Sequence, residues 1–216
     1  MRSESDHLGP PVQDAGLNGI CGGLLPRRAA QPLFVFVEAY YCARHAMRKA
    51  QGSHMKTQRY WLMKSEPDVF GIDDLAKAKR KTTAWWGVRN YQARNFMRDD
   101  MQLGDEAFFY YSGCAEPGIA GIVTVAKLAY PDATQFDRNS EYFDPAATPE
   151  QPRWLNVDVK LLRKTRFVSL KELRRHAELS SMRLLQKGNR LSITPVQPGE
   201  WKFILGLLDR PAQKTD

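Results

Sequence analysis

The densest chemistry lies in Trp85-Trp86-Gly87-Val88-Arg89-Asn90-Tyr91-Gln92-Ala93-Arg94-Asn95-Phe96-Met97. Its second half reads as a helix from about Asn90 to Arg98. On it Ala93, Phe96 and Met97 form a narrow apolar stripe, while Tyr91, Arg94, Asn95 and Arg98 share another face. That second face offers a ring to stack on, guanidinium groups that can hold phosphate, and an amide that both donates and accepts. These are parts that bind a nucleotide without reacting with it. They equally make an ordinary solvated helix face, and the helix alone does not choose between the two. Trp85 and Trp86 tip the balance, because two consecutive large aromatics do not easily face one core. The run Phe108-Phe109-Tyr110-Tyr111-Ser112 has a similar ambiguity. Alternation sends Phe109 and Tyr111 one way and Phe108 and Tyr110 the other, so one pair suits a core and the other a cleft. Lys160 to Arg175 holds seven bases against one acid, which suits a solvated face or one that tracks phosphates.

Signatures of catalysis are weak by comparison. The three Cys, at 21, 42 and 114, share no C-x-x-C spacing, no His-Glu-x-x-His run exists, and the His-x-Glu at His176-Ala177-Glu178 has no C-x-x-C to complete it, so a zinc site has no ligands in register. His176, within Arg174-Arg175-His176-Ala177-Glu178, reads as a solvated surface imidazole. Cys114 has no base visible beside it and reads as a structural thiol. Asp73-Asp74 and Asp99-Asp100 flank helices, where terminal charge is an ordinary finding. Neither a metal nor a cofactor is expected.

The elements that must position these residues follow from periodicity. Arg59 to Met63 reads as a first strand and Ile72 to Arg80 as a helix with acids first and bases last. Glu106 to Tyr111 and Gly118 to Tyr130 read as strands joined by a Gly/Pro turn, and Pro131 to Arg153 as a long loop. Leu155, Val157, Val159 and Leu161 alternate with polar residues as a half-buried strand, with Trp154 on its polar side. Ser169 opens a helix to about Ala177, Gly188 closes a shorter one, Arg190 to Val196 is a strand, and Pro198 starts a terminal helix through Leu208. The pattern predicts an α+β fold around a small curved sheet of about five or six mixed strands with short flanking helices.

Composition agrees. The chain has 216 residues, 43% hydrophobic, 26% charged and 11% aromatic, as in a globular protein, and its net charge of +8 favours a polyanionic partner. The first 32 residues are rich in Gly and Pro and lack periodicity, and residues 33–50 could form a short helix. They lead into Gly52-Ser53-His54-Met55, which reads as a tag scar or a start Met after an upstream segment. The expected organisation is therefore a disordered extension or tag over 1–55, a domain over 56–210 and a tail over 211–216. No apolar run is long enough to span a bilayer, and the Cys usage fits a reducing compartment: the cytoplasm, or the nucleus in a eukaryote.

Several motifs occur in order: Trp61-Leu62-Met63-Lys64-Ser65-Glu66-Pro67, Trp85 to Asn95, Phe108 to Ser112 with Pro117-Gly118-Ile119-Ala120-Gly121, Pro152-Arg153-Trp154 with Val157-Asp158-Val159, and Arg190-Leu191-Ser192-Ile193. Together they resemble the EVE domain family over about residues 58–208. The resemblance implies a PUA-like pseudo-barrel that binds nucleic acid, DNA or RNA, carrying modified cytosine or a related base, with no cofactor. Carried onto this chain, the base pocket would draw on Lys64, Ser65, Trp85, Asn90, Tyr110, Tyr111, Ser112, Arg190, Leu191 and Ser192. Trp85 or Tyr111 would serve as stacking platform and Asn90 and Ser112 as edge readers, with Arg89, Arg94 and Arg98 on phosphates. Two positions depart from the family pattern: Trp86 stands where an acid is usual, and Tyr111 where a His is usual. Two rivals to a non-catalytic reader are a nucleotide-processing or RNA-modifying enzyme using Cys114, Asp105 or Glu116, and an adaptor for a methylated peptide or small metabolite. Oligomeric state is left open.

Overall fold

Six strands form one mixed sheet: β1 (Tyr60–Ser65), β2 (Thr82–Ala84), β3 (Glu106–Tyr111), β4 (Gly118–Pro131), β5 (Leu155–Ser169) and β6 (Ile193–Val196), in the order β2-β5-β4-β3-β1-β6. The structure, a computed structural model, describes residues 58–210. All of these fall in the second of the chain's two units, Pro32–Asp216. The expected extension over 1–55, the helix at 33–50 and the tail at 211–216 lie outside the described residues. β1 and β3 pair in parallel, Leu62 opposite Phe108, and every other pairing is antiparallel. The expected α+β class and PUA-like sheet are thus what the chain forms.

Curvature decides where the site lies. β4 and β5 run 14 and 15 residues, with four register shifts between them, and another shift falls at Phe109/Tyr110 between β3 and β4. Each extra residue bends its strand and steepens the twist. The sheet curls until the end of β1 and the end of β2, four places apart in strand order, line one recess.

Both faces of the sheet are covered. Trp61, Met63, Trp85 and Phe109 pack on one face with Ile72 and Leu75 of helix α1 (Ile72–Lys77) and with Ala93 of helix α2 (Tyr91–Asn95). Leu62, Phe108 and Tyr110 pack on the other, under helix α3 (Leu170–Leu173) and helix α4 (Pro198–Leu208). Trp201 of α4 stacks on Tyr60 at 4.5 Å and on Phe108 at 4.0 Å, the ring pairing expected of large buried aromatics.

Several elements differ from the sequence reading. α1 ends at Lys77 rather than Arg80, because Ala78 is extended and Arg80 and Lys81 take φ of 58° and 54° to turn the chain into β2. α2 gives way after Asn95 to a π turn over Phe96–Asp100. β5 continues eight residues past Leu161, and β2 was not foreseen. Trp154 is buried rather than on a polar side, its indole N–H donating to Asp144 at 2.7 Å.

Candidate functional site

The recess between the ends of β1 and β2 has a volume of about 370 Å³, within the range of small-molecule sites. Lys64, Ser65 and Glu66 enter it from the end of β1, and Val69 and Phe70 from the turn that follows. Thr83 to Val88 form the opposite wall, Glu141 and Tyr142 reach in from the long loop, and Ser192 closes one side. Of the ten expected pocket residues, Lys64, Ser65, Trp85 and Ser192 meet here.

The consecutive tryptophans divide as their adjacency predicts. Trp85 is 7% exposed, its ring edge-on to Phe109 at 5.4 Å, so it belongs mainly to the core. Trp86 is 41% exposed and meets Tyr142 edge-on at 5.6 Å, so these two rings offer the accessible aromatic surface. Gly87 makes that arrangement possible. At its φ of 79° a side chain would be strained, and a Cβ would stand 3.0 Å from the Tyr142 ring. Gly113, with φ of 68°, leaves similar room for Glu66, whose Cδ would lie 3.0 Å from a Cβ there.

The polar groups differ in how far the fold has already used them. The Ser65 hydroxyl donates to the Phe70 carbonyl at 2.7 Å and closes the turn after β1. The ammonium of half-buried Lys64 has no hydrogen bond or ion pair among the described residues, and burial pushes its pKa down. Burial, followed by the carboxylates of Glu141 and Glu66, pushes the Tyr142 phenol up. One cation without a partner thus shares the recess with two acidic acceptors and a phenol. The hydroxyl of Ser192 also makes no hydrogen bond among the described residues, while its carbonyl accepts from the Lys64 N–H at 2.8 Å.

Other expected residues are placed elsewhere. Tyr110 lies on the opposite face of the sheet, 2% exposed, where burial pushes its phenol up to about 12. Tyr111 packs edge-on to Phe109, and its hydroxyl accepts the Ile72 N–H at 2.9 Å, which fixes the start of α1. Ser112 continues the β1 pairing through its N–H to the Ser65 carbonyl. Asn90 caps α2, accepting from the N–H groups of Gln92 and Ala93 at 2.9 and 3.1 Å. Leu191 is buried beside β6, and Arg190 is exposed with no hydrogen bond or ion pair among the described residues.

The three arginines expected on phosphates are occupied within the fold. Arg89 pairs with Asp132 at 2.9 Å and donates to Thr134 at 2.9 Å and to the Tyr142 carbonyl at 3.0 and 2.6 Å. It therefore anchors the loop that carries Tyr142. Burial would raise the Asp132 pKa, but hydrogen bonds from Thr134, Arg89 and Gly87 outweigh it and hold the carboxyl below its usual range. Arg94 lies over the Tyr91 ring at 4.8 Å and donates to the Arg153 carbonyl at 3.0 Å, while Arg98 pairs with Asp99 at 2.7 Å. In the basic run after β5 begins, Arg163, Lys164 and Arg166 pair with Asp209, Asp73 and Glu172.

Glu66, Trp86, Glu141 and Tyr142 complete the recess and were not among the expected pocket residues. Glu66 sat within a quoted motif and Trp86 was marked by its neighbour, whereas nothing in the composition of the 131–153 loop singles out Glu141 or Tyr142. Among the described residues, no three His, Cys, Asp or Glu side chains gather as metal ligands, and no helix is long and apolar enough to cross a membrane.

Comparison with known proteins agrees with the motifs. The family model described as EVE domain matches residues 59–207. Thymocyte nuclear protein 1 of Homo sapiens is 44% identical over 169 residues, covering 70% of this chain and 74% of that protein. The solved structure of the human THYN1 protein in complex with 5-methylcytosine containing DNA has a TM-score of 0.68 and 44% identity, covering 72% of this chain and 100% of that one. A Pseudomonas syringae protein has a TM-score of 0.65 and 48% identity, covering 68% of this chain and 98% of its own. With a domain model spanning most of its length and relatives at this identity, the chain belongs to the EVE domain family.

Proposed function

We propose that the protein is a non-catalytic reader of modified cytosine in DNA, holding the base unstacked in the recess between β1 and β2. The observation that carries this reading is the Lys64 ammonium, without a partner among the described residues, in one recess with Glu66, Glu141 and the Trp86 and Tyr142 rings. A cytosine edge carries an exocyclic amine that a carboxylate accepts and ring acceptors that an ammonium meets, so Lys64 and Glu66 match it as a pair. Thymine offers no amine and turns a carbonyl toward the carboxylate in its place. Apolar Val69 and Phe70 suit a methyl group at C5. Swinging a base out of the stack costs a few kcal/mol, and a new aromatic platform returns about 1–3 kcal/mol per base before edge hydrogen bonds are counted. The human relative solved with 5-methylcytosine DNA supports the same ligand class.

Backbone contacts fall to Arg190, expected beside the base pocket, and to three cations that the sequence did not single out. Lys79, Arg80 and Lys81 are exposed just before β2, and Arg190 is exposed two residues before Ser192, so each group lies close in sequence to residues that line the recess. None of the four side chains makes a hydrogen bond or ion pair among the described residues. They are therefore available to phosphates.

The test is binding of oligonucleotides that differ only in one 5-methylcytosine, cytosine or thymine, by the wild type and Glu66→Gln. The wild type should prefer methylcytosine to thymine, and Glu66→Gln should reduce that preference at least five-fold. Equal affinity for all three oligonucleotides would overturn the reading. Preference for a methylated peptide over every oligonucleotide would favour the adaptor class instead.

A further inference from the structure

A second recess, of about 320 Å³, shares Ala84 and Trp86 with the first. Its remaining walls include Pro131, Phe136 and Pro149, which are apolar, and one polar group that the fold leaves unused. Asn156 is 4% exposed, its Oδ1 is buried without a partner, and its side-chain amide makes no hydrogen bond among the described residues. A buried amide oxygen without a donor costs free energy, and because that oxygen is closed to solvent, a ligand recovers it only if the amide turns the oxygen into the recess. Asp132, also in the wall, is already occupied by Arg89, Gly87 and Thr134, so the recess offers no uncompensated charge to an ion.

The geometry points to a second base site, which takes the nucleotide next to the one being read. An amide carries a donor and an acceptor, and with its oxygen turned into the recess the pair matches a nucleobase edge, which neither a phosphate nor an acyl chain does. The apolar walls suit the faces of a flat heterocycle. Trp86 lines both recesses, so two successive bases would lie against its ring, one from each. That is the wedge arrangement by which apolar side chains unstack a base step. This inference rests on the reading of the first recess as a base site.

The experiment uses oligonucleotides with one 5-methylcytosine in which the 5′ or the 3′ neighbour is intact or abasic. For the wild type, one of the two abasic oligonucleotides should bind about ten-fold more weakly than the intact one, the loss expected for one stacked base. Asn156→Leu removes the amide, and Ala133→Phe fills the recess from its exposed lip without touching the core. Both variants, checked by thermal melting, should bind the intact oligonucleotide as weakly as the wild type binds the abasic one, with little further loss on the abasic oligonucleotide. If both abasic neighbours bind as tightly as the intact oligonucleotide, or if the variants weaken intact and abasic forms equally, the second site is wrong. If methylation leaves wild-type affinity unchanged while the neighbour effect persists, the first recess is misread and the second site stands.

Discussion

Arg89→Met separates two roles for a guanidinium that the sequence places in a nucleotide-binding motif. If Arg89 anchors the long loop, its loss leaves Asp132, whose side chain is 1% exposed, with Gly87 and Thr134 as its remaining donors. Breaking a buried pair from one side costs about 3–5 kcal/mol, and the 22% exposure of Arg89 together with those donors puts the expected loss near the lower figure. For a domain of this size that lowers Tm by about 6–12 °C, well within a total stability of about 5–15 kcal/mol. Urea titration of wild type, Arg89→Met, Asp132→Asn and the double variant should give a coupling of at least about 1 kcal/mol. The pH dependence has a definite sign. The folded Asp132 pKa is depressed, so its contribution is full above the ordinary aspartate value of about 3.9 and is lost as pH falls through the lower folded value. The gap between wild type and Asp132→Asn should therefore close in acid. A phosphate contact behaves otherwise: Tm is unchanged, the two substitutions add within about 0.5 kcal/mol, and the salt dependence of DNA binding shallows by about one charge. That outcome would refute the anchor.

Further substitutions separate fold from recognition. Trp85→Ala should cost about 3–5 kcal/mol of stability in a denaturant titration, as for any large buried aromatic, whereas Trp86→Ala should change stability by less than about 1 kcal/mol and weaken binding of methylated oligonucleotides about ten-fold. Gly87→Ala strains a residue at φ of 79° and pushes on the Tyr142 ring; calorimetry should show weaker binding, and thermal melting a loss of at least about 1 kcal/mol. Lys64→Met removes a partly buried ammonium without a partner among the described residues, so it should leave Tm equal or higher while reducing affinity. Because the folded Lys64 pKa lies below the unfolded one, any stability gain should shrink as pH rises through the folded value towards about 10.4. A gain that grows with pH would contradict that account.

How much was legible in the sequence depends on the range over which each feature is determined. The alternation in β3 and β5 and the Pro198 start of α4 are local, and β3, the first half of β5 and the helix lie where those signals put them. Thr82–Ala84 is too short to show a period, so β2 escaped, although it forms one wall of the recess. Parity correctly separated Phe108 and Tyr110 from Phe109 and Tyr111, but it could not show that both sheet faces would be covered, which left Tyr110 sealed away from the recess. Asn90 had the type and position of a helix cap as clearly as those of a base reader, and the cap took its side chain. The same limit governs the charges. Arg89 and Lys64 carry equal charge inside equally conspicuous motifs, yet Asp132 and the Tyr142 carbonyl, more than forty residues away, occupy the first, while the second enters the recess without a partner among the described residues. Residue type sets what a side chain can bind, and long-range pairing sets whether it is still available. Only the curled sheet, which brings the ends of β1 and β2 and the Glu141–Tyr142 loop together, makes that second condition visible.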